Sequence, residues 1–183
     1  LGDVIGPLFP VPPVAALVDH LGVQRTLDLT HLELELALHL GFVVRRRLAD
    51  AALPLPPKFP ARERENLASA YSDARPLWLK DGAWNAAAEK LMDRLSRADE
   101  DGLDPADYPV PHLAQGAGPA EQAEAELKLS AAAYLYARDA RGGRLEPNRL
   151  GGLITPKLEL PGVERVLLTL AASEDPGAAL QGF

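Results

Sequence analysis

The sequence predicts a mainly α-helical chain, an irregular assembly of about five helices, and three features carry that prediction. Downstream of residue 61, apolar side chains recur three and four residues apart. The stretches with this spacing end at helix-stopping residues and restart at capping ones. Prolines, 17 in 183 residues, punctuate the chain between them, because a proline inside a helix removes a backbone donor and clashes with the preceding turn.

Near the start, Pro7, Pro10, Pro12 and Pro13 interrupt an apolar run from Val4 to Val18. Val14, Leu17, Val18 and Leu21 then suit a short helix opening at those prolines. In LDLTHLELELALHLG, leucines stand at 32, 34, 36, 38 and 40, with Glu33, Glu35 and His39 on the opposite parity. Alternation is the period of a half-buried strand, whereas leucine and glutamate are helix formers. A helix would scatter those five leucines around most of its circumference, so the pattern favours a strand over 32–40. The following GFVVRRRLADAAL either turns at Gly41 and runs back, giving a short β-hairpin near the N-terminus, or continues as helix. Pro54, Pro56, Pro57 and Pro60 in LPLPPKFP mark an extended linker near 53–61. The expected organisation is therefore an N-terminal arm or subdomain over 1–60 and a helical domain over 61–183.

Within that second part, Leu67, Ala70, Tyr71 and Ala74 share a face of a helix that Arg75-Pro76 stops. PLWLKDG is a short extended piece with a turn at Asp81-Gly82. Trp84, Ala88, Leu91, Met92, Leu95 and Ala98 mark the next helix, closed by Gly102. Asp104 caps a single turn begun by Pro105. After the loop from Gln115 to Pro119, the longest helix runs from about Ala120 to Arg141. Its expected buried stripe is Ala123, Leu127, Ser130 or Ala131, Tyr134 and Ala137. Glu121, Glu124 and Glu126 early and Arg138 and Arg141 late suit the helix dipole. Gly142-Gly143 ends it, Glu146-Pro147 turns, residues 150–161 read as irregular, and a last helix over Gly162 to Ala172 buries Val163, Val166, Leu167 and Leu170.

A net charge of −7 with both signs interspersed argues against a duplex nucleic-acid binder, whose phosphate contacts need a concentrated basic surface. The absence of cysteine removes disulfides, thiolate catalysis and sulfur-ligated zinc. No apolar run reaches the roughly 18 to 20 residues of a membrane-spanning helix, and the product reads as soluble. The first residue is Leu1 rather than Met, which leaves a removed signal peptide and an excised piece both open; its apolar start lacks a basic leader.

The acidic run Asp99, Asp101, Asp104 and Asp107 is the obvious metal candidate. Aligning Gly102 with the glycine of a calcium loop, however, puts Arg97 and Tyr108 where carboxylates are required. A helix stop followed by a cap explains the same residues. The histidines, His20, His31, His39 and His112, are far apart, and no GxSxG elbow or phosphate loop occurs. No metal or cofactor is expected. Most carboxylates fall on polar faces or in caps, which favours a solvated role over paired-carboxylate chemistry. Arg45, Arg46 and Arg47 read as a solvated element end. The remaining binding candidates surround the Asp81-Gly82 turn: Trp78 and Trp84 bracket it, and Arg75 and Lys80 beside them would suit a sugar or peptide groove.

One set of residues has a further reading. Tyr71, Pro76, Leu77 and Trp78, then Asp101, Gly102, Leu103, Asp104, Pro105, Asp107 and Tyr108, then Tyr136, Ala137, Gly143, Arg144 and Pro147 occur in this order and spacing. The pattern resembles the scaffold region of the large murein L,D-transpeptidases of Gram-negative bacteria, from about residue 62 to the end. Residues 1–60 have no counterpart in it. The resemblance implies a three-part enzyme: this helical scaffold, a small peptidoglycan-binding module, and a β-rich domain whose histidine-activated cysteine attacks the stem peptide. It also implies a periplasmic location. A chain without cysteine cannot form that acyl-enzyme. The expected role is thus a non-catalytic frame whose partners are the other domains of its parent protein, with peptidoglycan as a further contact. The rival expectation is a free-standing helical module that binds a protein or peptide; a weaker one is a small carboxylate hydrolase.

Overall fold

The computed structural model describes residues 29–50, 52–73, 75–143 and 159–183. Its contacts divide the chain into two compact units, Leu1–Leu36 and Ala37–Phe183. Among the described residues there are six α-helices and one two-stranded hairpin, so the fold is mainly α. The helices are α1 (Leu29–Leu48), α2 (Arg64–Ser69), α3 (Ala86–Ser96), α4 (Pro119–Arg138), α5 (Val163–Ala171) and α6 (Pro176–Gln181). Single 3₁₀ turns over Ala61–Glu63, Ala98–Asp101 and Pro105–Asp107 fill the gaps, and a π-type turn over Asp139–Gly143 continues α4.

The strand favoured over 32–40 is corrected: those residues lie in α1, which runs without a break through Gly41 to Leu48. Leu40, Val44 and Leu48 are buried at i, i+4 and i+8, and burial of that stripe outweighs the alternation of the leucines. The hairpin sits elsewhere. Leu79 pairs with Trp84 and Lys80 with Ala83, joined by Asp81 (φ +53°) and Gly82 (φ +76°). Two successive positive φ values are what a two-residue hairpin loop demands, and Asp-Gly supplies them at low strain. The short helix expected over Val14 to Leu21, the Glu146-Pro147 turn and the irregular stretch before residue 159 lie outside the described residues.

Local signals set most of the remaining boundaries. Asn85 accepts from Ala88 N at 2.8 Å and opens α3, and Gly102, at φ +71°, closes the 3₁₀ turn that follows it. Asp104 Oδ1 accepts from Ala106 N at 3.0 Å, with Pro105 in the first position of its turn. Asp175 does the same for α6, accepting from Ala178 N at 3.0 Å ahead of Pro176. The helix expected from Ala61 to Ala74 is shorter, a 3₁₀ turn followed by α2.

Helix α4 is the hub. From Leu129 to Ala137 every residue is buried, a wider surface than one stripe. Ala131, Ala132, Ala133 and Ala137 keep its outline narrow, so α3, α5 and α6 can all pack against it. Leu67 from α2, Tyr71 in the turn after it, Leu91 and Leu95 from α3, Val166, Leu167 and Leu170 from α5, and Leu180 from α6 complete the core.

Candidate functional site

Two buried polar clusters hang on α4. The first is centred on Glu126, which the charge pattern places among solvated first-turn acids but which is fully buried. Its carboxylate accepts from Leu77 N at 2.5 Å, from Trp78 N at 3.1 and 3.2 Å, and from Tyr71 Oη at 3.1 Å. One turn along, Ser130 Oγ pairs with Tyr71 Oη at 2.6 Å and accepts from Trp78 Nε1 at 2.7 Å. The segment just before the hairpin's first strand, Leu79–Lys80 (β1), therefore bonds to α4 as if it were a strand edge, with a side chain in place of a neighbouring backbone. Asn85 closes the arrangement: its Nδ2 donates to Leu77 O and its backbone N to Trp78 O, both at 2.9 Å.

Burial pushes the Glu126 carboxyl up to about 7, against hydrogen bonds from Leu77, Trp78, Tyr71 and Leu79 that favour its charged form. Burial also raises the Tyr71 phenol well above its usual range, and the Glu126 charge adds to that, so Tyr71 stays a neutral donor. A carboxyl poised near neutrality can move a proton, yet this one has no exposed surface, and neither of the two surface grooves described below includes it. Its work is to fasten Tyr71, Leu77 and Trp78, which lie between α2 and β1, to α4.

The second cluster centres on Arg94, 6% exposed on α3. Its guanidinium pairs with Asp101, with Glu100 Oε2 at 2.9 Å and with Arg97 O at 3.1 Å, and its Nε donates to Tyr136 Oη at 3.3 Å. Asp101 also accepts from Tyr136 and from Gln181 Nε2 at 3.1 Å, which ties α6 to the same point. Beside it Tyr108 stacks edge-on against Tyr136, centroids 5.3 Å apart, and donates to Asp139 Oδ2 at 3.0 Å. Among the described residues no buried side-chain nitrogen or oxygen lacks a partner.

Of the four sequence candidates, Arg75 and Lys80 are exposed, Trp84 is half-buried, and Trp78 is fully buried. Trp78 thus faces α4 rather than the turn, because its indole N–H finds an acceptor in Ser130. The tryptophans do not form a shared aromatic wall. Three of the four acids in the run are spent within the fold, Asp101 on Arg94, Asp104 on a cap and Asp107 on Lys58 Nζ at 2.5 Å, and Asp99 is exposed. Among the described residues no three His, Asp or Glu side chains converge to hold a metal ion.

Open concavity lies on the other side of α4. Two grooves of about 460 and 360 Å³ share Pro111, His112 and Lys128. Pro54, Leu55, Pro56 and Pro57 line one of them, and Glu121, Glu124 and Ala125 line the other. Lys128 is held by Glu124 at 2.8 Å, and that carboxylate is kept below the usual range by Lys128 first and Arg47 second.

No curated protein and no solved structure matches the chain. A family model described as a scaffold domain matches residues 65–183. That span contains both buried clusters, all of α2 but its first residue, and α3 through α6. The chain therefore belongs to the scaffold-domain family.

Proposed function

We propose that this scaffold domain is the non-catalytic frame of a periplasmic murein L,D-transpeptidase, positioning a catalytic and a peptidoglycan-binding module for cell-wall peptide cross-linking. One observation carries the reading. The motif residues that resemble those enzymes, Tyr71, Trp78, Asp101, Asp104, Tyr108 and Tyr136, are all engaged in contacts inside the fold. A motif spent on packing and caps makes a rigid body and leaves the chemistry to other parts. The 183 residues contain no sulfur nucleophile, which agrees with that division.

The test compares the 183-residue chain with the product of its whole reading frame. Each is incubated with a carbapenem and with purified murein sacculi, then analysed by mass spectrometry. The expected result is a drug adduct on a cysteine of the longer product, formation of 3-3 cross-links by it, and neither for the 183-residue chain. A stop codon immediately after Phe183 would favour the rival, a free-standing helical module for a protein or peptide. Turnover of sacculi by the 183-residue chain would establish a hydrolase instead.

A further inference from the structure

The two grooves beside α4 share Pro111, His112 and Lys128 and so form one continuous concavity. One wall is a single side of α4, where Glu121, Glu124 and Lys128 stand at i, i+3 and i+7. That row is about 10 Å long at about 1.5 Å per residue. Its ions are unevenly matched. Glu124 takes both Lys128 Nζ at 2.8 Å and Arg47 at 2.9 Å. Lys128 spends on it one of three ammonium donors, which leaves donors for a further anion. Glu121 is exposed, makes no ion pair among the described residues, and accepts from Gly118 N at 3.3 Å. Beyond Lys128 the concavity turns apolar, between Leu55 and Val110.

The opposite wall is the strap from Pro109 to Ala114, which has no helix, strand or turn. Pro109 and Pro111 fix their own φ, and each holds the residue before it out of the helical region, so the strap runs extended. Val110 is 42% exposed, and neither it nor His112 forms a hydrogen bond among the described residues. In an extended segment, residues two apart direct their backbone N–H and C=O to the same side. Val110 and His112 thus make a short open edge of the kind to which an extended peptide adds.

We propose that this concavity binds an extended segment of a partner protein that carries an apolar side chain, a carboxylate and a primary amine in that order on one face. Charge complementarity sets the order. The apolar side chain enters between Leu55 and Val110, the carboxylate meets Lys128, and the amine meets Glu121. Alternate residues of an extended peptide share a face about 7 Å apart, and the flexible stem of a lysine spans the rest of the row on α4. A polyanion would instead meet Glu121 and Glu124 unpaired. Few side chains are engaged and the charges stay partly in water, so the Kd is on the order of 1 mM. The concavity includes neither buried cluster, and the proposal does not rest on the transpeptidase reading.

The test titrates the 183-residue chain, labelled with nitrogen-15, with acetyl-Val-Ala-Glu-Ala-Lys-amide and with the same sequence reversed, each to about 10 mM, ten times the expected Kd. The expected result is a saturable shift of the Val110, His112 and Lys128 amide signals with at least one of the two peptides. Glu121→Lys weakens that binding about tenfold. The variant in turn prefers the charge-exchanged peptide, acetyl-Val-Ala-Lys-Ala-Glu-amide, or its reverse, and this gain shows that the variant is folded. Val110→Asp, on the exposed strap, abolishes the shifts with an unchanged far-ultraviolet dichroism spectrum. No saturable shift with either peptide overturns the proposal. So do shifts confined to other residues, or binding that Glu121→Lys and Val110→Asp leave unchanged. Shifts of the same amides with protein concentration alone, without peptide, assign the concavity to a second copy of the chain and overturn it too.

Discussion

The Trp78 indole donates its N–H to Ser130 Oγ at 2.7 Å across 52 residues of chain, and the same oxygen is bonded to Tyr71. One small hydroxyl thereby serves two large buried aromatics from different segments. Ser130→Ala removes only an oxygen but leaves the Trp78 N–H without an acceptor in the core. The expected loss is about 1 to 3 kcal/mol, read as a lower urea midpoint with the slope unchanged. Trp78→Phe in the Ser130→Ala background should cost less than the two single changes together, because the orphaned donor goes with the indole.

Glu126 makes stability depend on pH in an unusual direction. Burial holds its carboxyl near 7, against 4.5 for the unfolded chain, so between those values the folded state keeps a proton that the unfolded state has lost. Stability therefore falls as pH rises through this window, by about 3 kcal/mol at most at about 1.4 kcal/mol per pH unit. Glu124 acts in the opposite sense and only at more acid pH, because Lys128 and Arg47 hold it below the usual range. Thermal melts from pH 5 to 8 should show the decline in wild type. Glu126→Gln should flatten it, since its amide oxygen can still accept from Leu77 N and Trp78 N while carrying no charge. A Gln variant that retains the wild-type slope would refute the assignment.

Arg94 offers a second test of a buried cluster. Replacing it with Met keeps most of its aliphatic packing against α4 but strips Asp101 and Tyr136 of a charged donor. Asp101 keeps its bonds to Tyr136 and Gln181 and is partly exposed, so water screens the orphaned charge. The expected cost is about 2 kcal/mol, below that of breaking a fully buried pair. Double replacement with Asp101→Asn should recover part of it, measured by the same urea titration.

The parts of this fold that were legible in the sequence are those decided within one or two turns. Asp104-Pro105, Gly102, the Asp81-Gly82 turn and the 163, 166, 167, 170 stripe each act through neighbours in the chain, and the structure has them where the spacing puts them. Helix α6 was missed although Asp175-Pro176 repeats the Asp104-Pro105 signal, because six residues show too little periodicity to register. Glu126 was not legible. Helical phase puts it at the edge of the buried stripe, three residues after Ala123 and four before Ser130, but its donors lie 48 and 49 residues away, and nothing local says that a carboxylate there would be satisfied. The leucine alternation misled for a reason that is itself informative. Leu38 and Leu40 are about 200° apart on a helix, so one is buried and the other exposed. An outward leucine contradicts a simple amphipathic pattern.

A close approach between two helices gives the last prediction. Gly177, in the first turn of α6, lies so close to α3 that an added Cβ would stand 3.1 Å from Lys90 O and 3.4 Å from Arg94 Cβ. The first of these is backbone in the middle of a helix and cannot swing aside as a side-chain tip could. Alanine is the better helix former by about 1 kcal/mol, so propensity alone would make Gly177→Ala stabilising. Overpacking opposes this by about 1 to 3 kcal/mol. The approach is set from both sides, by Lys90 Nζ bonded to Glu174 O at 2.7 Å and by Asp101 holding Gln181, so α6 has little freedom to retreat. The net expectation is a lower melting temperature for Gly177→Ala. At Gly118, where an added Cβ meets nothing within 4 Å, the same substitution should leave the packing undisturbed. A Gly177→Ala chain as stable as wild type would mean that α6 can shift outward, and the bond between Gln181 and Asp101 would then be the first contact to lengthen.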